Sequence, residues 1–139
     1  MKDYLDKHHW KVIENGFFKD NNKITESIFS IGNGYMGQRA NFEESFDGDT
    51  MQGSYLAGIY YPDKTKVGWW KNGYPEYFAK VLNSVNWIGI DLLLGDQKMT
   101  ISPDMISNFR RELDMKNSLL RREVTVTTKE GFVFEISSE

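Results

Sequence analysis

Apolar and polar residues alternate with a period of two along much of the chain, the spacing that gives a strand one buried face. Ile88, Ile90, Leu92 and Leu94 alternate with Gly89, Asp91 and Leu93, and Gly95-Asp96 supplies a turn before Met99 and Ile101, which predicts a hairpin. Val124-Thr125-Val126-Thr127 holds only β-branched residues, and Thr128-Lys129-Glu130-Gly131 can turn it into a last strand with Phe132, Phe134 and Ile136 on one face. Gly53–Tyr61 predicts a further strand with Tyr55, Ala57, Ile59 and Tyr61 aligned. Ser102-Pro103 has the form of a helix N-cap and first helical residue, and Ile106, Phe109 and Leu113 fall at helical spacing. Phe109, Arg111, Leu113 and Met115 also alternate, so that segment admits either a helix or a strand. Several short strands separated by turns predict an all-β protein built as a sandwich of antiparallel sheets.

Composition narrows the class. The chain has 139 residues, 40% hydrophobic, 14% aromatic and 27% charged, enough for one domain with a real core and too apolar for disorder. The net charge of −3 is spread evenly, which speaks against a nucleic-acid partner or a polybasic membrane contact. With no cysteine, disulfides, zinc ribbons and thiol nucleophiles are excluded. The first ten residues lack the apolar run of a signal peptide, and Trp87–Leu94 is too short to span a bilayer, so a cytoplasmic location is expected. No linker or repeat divides residues 1–139. The final strand has no later partner, from which a fragment of a longer protein is expected.

Five motifs invite chemistry. Gly32-Asn33-Gly34-Tyr35-Met36-Gly37 matches G-x-G-x-x-G, but a dinucleotide fold needs a helix to follow, and Gln38–Asp49 has no apolar stripe. Asn33-Gly34 reads instead as a tight hairpin turn. Glu43-Glu44 has the form of a glycosidase carboxylate pair, yet neighbours on a strand face opposite ways, which predicts one inward and one solvated carboxylate. Asp47-Gly48-Asp49 lacks the later ligands of a calcium loop, and His8-His9 lacks a third metal ligand, so no metal site is expected. The fifth is Val67–Phe78, where Trp69, Trp70, Lys71 and Tyr74 combine aromatic faces able to stack on sugar rings with polar groups able to address hydroxyls. They are the candidate substrate-binding residues. The alternative is that the tryptophans plug a core or an interface.

The run Glu26–Glu44, containing Ile31-Gly32-Asn33-Gly34-Tyr35-Met36-Gly37-Gln38-Arg39-Ala40-Asn41-Phe42-Glu43-Glu44, resembles the opening signature of glycoside hydrolase family 65. The resemblance continues in register through Gly53–Tyr60, Trp69–Pro75, Val81-Leu82-Asn83, Arg111–Met115 and Leu120-Arg121-Arg122. Tyr61–Lys66 leading into the Trp-Trp-Lys loop is most similar to the members that phosphorolyse maltose. One departure concerns a turn, since the family often places Gly after the Asp-Met pair where this chain has Lys116-Asn117-Ser118. The resemblance implies that residues 1–139 form the first part of an antiparallel β-supersandwich, with the catalytic (α/α)6 barrel absent. It also favours a strand over a helix for Phe109–Met115. The implied reaction is maltose plus inorganic phosphate to β-glucose 1-phosphate and glucose with inversion. There, one Glu acts as general acid while phosphate, a co-substrate, attacks the opposite face. That Glu is implied to lie downstream of Glu139, so no catalytic residue is assigned here and no cofactor is expected. A homodimer is implied. The alternatives are trehalose, kojibiose or nigerose as the substrate, or a separate carbohydrate-binding module.

Overall fold

The computed structural model describes residues 4–64 and 75–139. In chain order, the first elements are β1 (Leu5–Lys7), β2 (Lys11–Asn15), the short helix α1 (Asn22–Ile28), β3 (Ile31–Gly32) and β4 (Met36–Gln38). Then come β5 (Ser54–Leu56), β6 (Tyr60–Lys64), β7 (Tyr77–Val81), β8 (Leu92–Leu94) and β9 (Gln97–Met99). The chain closes with three longer strands, β10 (Ile106–Asp114), β11 (Leu119–Thr127) and β12 (Val133–Ser138). Every strand pairing among these elements is antiparallel, as the all-β reading expects.

The main sheet has five strands in the order β1-β2-β10-β11-β12. Its inner face is set by the period-two pattern: Phe109 and Leu113 on β10, Val124 and Val126 on β11, and Ile136 on β12. Phe42, Ile101, Phe109, Val124 and Val126 form the buried apolar core, with Phe17, Phe46, Met99, Met105, Ile106 and Ile136 packed around it. Phe42 and Phe46 stack with ring centroids 4.4 Å apart, and Phe17 meets Phe42, Phe46 and Phe109 edge-on at 5.3–5.9 Å, the arrangements aromatic quadrupoles favour. Segment 40–47 brings Phe42 and Phe46 onto the sheet, and Phe46 bridges to Ile101. Three smaller units surround this core: a three-stranded sheet β3-β4-β5 and the hairpins β6-β7 and β8-β9.

Several expectations change in detail. The helical alternative at Ser102-Pro103 shrinks to one 3-10 turn, Pro103–Met105, and the strand begins at Ile106. Pairing on both sides, with β2 and β11, outweighs the local helix signal. The strand expected over Gly53–Tyr61 is broken in two, because Gly58 takes φ +88° and turns the chain between β5 and β6. Of Ile88–Leu94, only Leu92–Leu94 is strand, and Gly95 (φ +62°) makes the expected turn into β9.

Helix α1 was not foreshadowed by the apolar pattern. It is inverted: the buried residues at helical spacing are Asn22, Thr25 and Glu26, while Ile24 and Ile28 face outward.

Candidate functional site

The inner face of the main sheet carries a row of polar residues between its apolar rows. Register places Glu14 (β2) opposite Arg111 (β10), Arg111 opposite Arg122 (β11), and Arg122 opposite Ser138 (β12). Glu14 and Arg111 are each 1% exposed and Arg122 is 4% exposed. Burying such charges costs several kcal/mol per ion unless partners are supplied. Phe109 and Val124 flank the row on one side, Leu113 and Leu120 on the other.

The partners come from above the sheet. Both oxygens of Glu44 accept from Arg122 Nη2 at 2.7 Å, and Glu43 Oε2 forms an ion pair with the same nitrogen at 2.7 Å. Glu43 Oε1 also accepts from Ser138 Oγ at 3.1 Å. The expectation that Glu43 and Glu44 diverge is therefore corrected. They lie in a bend rather than a strand, so the two-residue alternation does not apply and both carboxylates converge on one guanidinium. Arg111 Nη2 donates to Asn22 Oδ1 at 3.4 Å, and its Nε lies 3.7 Å from Glu14 Oε2. Aromatic rings cover the rest: Arg122 sits 4.5 Å from the Phe42 centroid, and Arg111 5.0 Å from Phe109 and 5.7 Å from Phe29. Burial pushes the Glu14 carboxyl above its ordinary range, opposed by the Arg111 charge; burial likewise lowers the Arg111 guanidinium, opposed by Glu14.

A second cluster ties α1 to the segment leading into β5. Glu26, fully buried, accepts from Asn22 Nδ2 at 3.0 Å, from the Thr50 hydroxyl and from the Met51 backbone N–H at 2.9 Å. Arg39 spans helix and loop: its Nε donates to the Met51 carbonyl, Nη1 to Ser27 Oγ and Nη2 to the Lys23 carbonyl, all at 2.6–2.8 Å. Asn41 accepts from the Gly53 N–H and donates to the Met51 carbonyl. Gln38 accepts from Ser54 Oγ and donates to the Arg39 carbonyl.

The glycine motif is a turn, as expected, but only one of its two central candidates takes positive φ. Gly34 sits at φ +88°, while the Asn33 side-chain oxygen accepts from the Tyr35 and Met36 N–H groups, an Asx turn that fixes the hairpin β3-β4. Helix α1 precedes the motif and a strand follows it, the reverse of a dinucleotide loop. Asp47 accepts from Ser102 Oγ at 2.7 Å and Asp49 pairs with Lys23 at 2.7 Å, so these two carboxylates point to different partners. Trp69, Trp70, Lys71 and Tyr74 lie outside the described residues.

Chemically, Glu26, Glu43 and Glu44 accept hydrogen bonds within the fold, Glu14 is held by its ion pair with Arg111 at 3.7 Å, and the four act as struts, none of them lining the grooves described. Among the described residues, an open groove of about 590 Å³ is lined by Ser30, Asn33, Met36, Trp87, Leu113 and Met115 among others. Among the described residues, no titratable side chain lines it. The struts were missed in the sequence because Arg111 and Arg122 occupy inward positions that the alternation assigns to apolar residues. The available signal was their place in phase with Phe109, Leu113, Leu120 and Val124.

Residues 12–139 match the N-terminal domain of glycosyl hydrolase family 65, nearly the whole chain. The chain belongs to this family. Its Glu26–Glu44 signature is thereby explained as architecture: Glu26, Gln38, Arg39, Asn41, Glu43 and Glu44 all point into the two polar clusters. Among curated relatives, the maltose phosphorylase of Bacillus subtilis is 49% identical over 124 residues, covering 89% of this chain and 16% of that protein. A kojibiose phosphorylase of Thermoanaerobacter brockii is 28% identical over 117 residues, covering 84% and 14%. A solved structure from the human microbiome, named as a kojibiose phosphorylase, superposes with a TM-score of 0.75 at 31% identity, covering 96% of this chain and 18% of that one. The chain thus spans about one-sixth of the length of the family 65 relatives it matches.

Proposed function

We propose that this domain is the N-terminal scaffold of a maltose phosphorylase, which converts maltose and inorganic phosphate to β-D-glucose 1-phosphate and glucose with inversion. The observation that carries this reading is the identity gap, 49% to a maltose phosphorylase against 28% to a kojibiose phosphorylase over similar lengths. The geometry supports a scaffold role, since every buried carboxylate described above is engaged within the domain. The reacting groups belong to the remainder of the enzyme, as a homodimer in the cytoplasm, and no cofactor is required beyond phosphate as co-substrate.

The experiment is a substrate panel on the full-length enzyme. Phosphate-dependent release of glucose 1-phosphate from maltose, far exceeding release from kojibiose, trehalose or nigerose, is the expected result. Preference for another disaccharide would overturn the assignment of maltose. Phosphate-dependent turnover by residues 1–139 alone would overturn the scaffold role.

A further inference from the structure

The dipeptide Asn-Gly occurs three times in the chain, at residues 15–16, 33–34 and 72–73. The last pair lies outside the described residues. The other two share their chemistry, and the fold treats them in opposite ways. We infer that Asn33 is a self-modifying position, converted to aspartate and isoaspartate by attack of the Gly34 backbone nitrogen on the Asn33 side chain, while Asn15 is protected.

The β3-β4 turn supplies what the reaction needs. Both residues are exposed, and among the described residues no acceptor takes the Gly34 N–H. A Cβ built on Gly34 would meet no heavy atom beyond its chain neighbours within 4 Å, so water or hydroxide has open access to that proton. The Asn33 Oδ1 accepts from the Tyr35 N–H at 3.0 Å and the Met36 N–H at 2.9 Å. These donors face the oxygen on which negative charge develops as the nitrogen adds to Cγ, the arrangement of an oxyanion hole. Nucleophile and electrophile are neighbours in one chain, so the attack is intramolecular.

The step balances with water as the co-reactant. A base removes the Gly34 N–H proton, the nitrogen's electron pair forms the N–Cγ bond, and Nδ2 takes up a proton and leaves as ammonia. Water then opens the cyclic imide. Opening at Cγ gives aspartate; opening at the backbone carbonyl gives isoaspartate, with the main chain routed through the side chain. Aspartate keeps an oxygen for the two N–H donors. Isoaspartate adds an atom to a turn closed by the Asn33 N–H to Met36 carbonyl bond at 3.1 Å, and so loosens the pairing of Ile31 with Gln38 and of Gly32 with Gly37.

Asn15-Gly16 is held on every side. The Gly16 N–H donates to the Phe109 carbonyl at 2.8 Å. Asn15 Nδ2 donates to Asp6 at 2.8 Å, and its Oδ1 accepts from Arg110 at 3.1 Å. Attack there requires these bonds to break first.

The test ages the full-length protein, folded, at physiological temperature and mildly alkaline pH. Peptide mass spectrometry, with fragmentation that separates aspartate from isoaspartate, follows each site. A parallel sample is kept unfolded in guanidinium chloride. In the folded protein, Asn33 is expected to convert about tenfold or more faster than Asn15, the factor that roughly one hydrogen bond supplies. In the unfolded sample the two should convert at similar rates. Conversion at Asn33 no faster than at Asn15 in the folded protein would overturn the inference. So would an equal difference in guanidinium, which would place the cause in the neighbouring sequence and not in the fold. The rate at Asn33 should rise with pH, and a flat profile would overturn attack by a deprotonated nitrogen. In the separated products, amide exchange at Met36–Gln38 should be faster in the isoaspartate form than in the aspartate form; equal exchange would overturn the loosening of the hairpin. None of these outcomes depends on which disaccharide the enzyme takes.

Discussion

Replacing Arg122 with leucine would strand the Glu44 carboxylate, 4% exposed, with no cation beside it. At 2.7 Å and an effective dielectric of about 20, each carboxylate of the Glu43/Glu44 pair is attracted to the guanidinium by roughly 6 kcal/mol before desolvation is charged against it. Experience with buried pairs puts the net loss on removing one partner at about 3–5 kcal/mol. Loss of the contact with Phe42 at 4.5 Å adds about 1 kcal/mol. Against a typical domain stability of about 5–15 kcal/mol, Arg122→Leu removes roughly a quarter or more. Urea unfolding followed by circular dichroism would read this as a fall in midpoint of about 2–3 M, with slopes of roughly 2 kcal/mol per molar.

The decisive comparison is the double variant Arg122→Leu/Glu44→Leu. Replacing a buried pair by apolar side chains is often neutral or favourable by about 1–4 kcal/mol, so the second change should restore most of what the first removed. Glu43 can follow the change because its side chain keeps a quarter of its surface in solvent. A single variant within about 1 kcal/mol of the unaltered chain would refute the claim that burial makes the pair interdependent. A double variant weaker than the single would refute it too.

Three other expectations are simpler. Ser118 holds a left-handed backbone (φ +57°) at an exposed turn, so Ser118→Gly should stabilise by up to about 1 kcal/mol, raising the thermal midpoint by roughly 4 °C in calorimetry. Asp114 caps the same turn; hydrogen bonds from the Asn117 side chain and backbone hold its carboxyl down at about 2, from an ordinary 3.8. A depressed folded-state value contributes stability that is full above about pH 4 and lost as the pH falls towards 2, so Asp114→Asn should flatten the acid limb of a stability–pH profile there. Among the described residues strand β12 is an unpaired edge, with Val133 in it and Phe132 before it exposed, so the chain should self-associate with concentration, and Val133→Lys should reduce the mass seen by light scattering.

The parts of this fold that were legible in the sequence are those where apolar residues mark the buried face. Phe109, Leu113, Val124 and Ile136 announce the sheet, and Gly34, Gly95 and Gly131 announce turns that need positive φ. The parts that were not legible share one cause, the burial of polar groups. Helix α1 hides Asn22, Thr25 and Glu26 and exposes Ile24 and Ile28, so its hydrophobic pattern points the wrong way. Arg111 and Arg122 stand where alternation calls for apolar residues, and Glu43 and Glu44 violate alternation because the backbone bends beneath them. A core residue can be exchanged for another of similar volume, whereas each of these groups requires a particular partner at a particular distance. That requirement ties segments far apart in the chain, Glu14 to Arg111 and Glu44 to Arg122, into one arrangement. It also accounts for a signature motif that is charged and whose charged side chains are bonded within the fold. Such a motif ties α1, the segment leading into β5 and the main sheet to one another through buried polar contacts that neighbouring apolar residues could not specify.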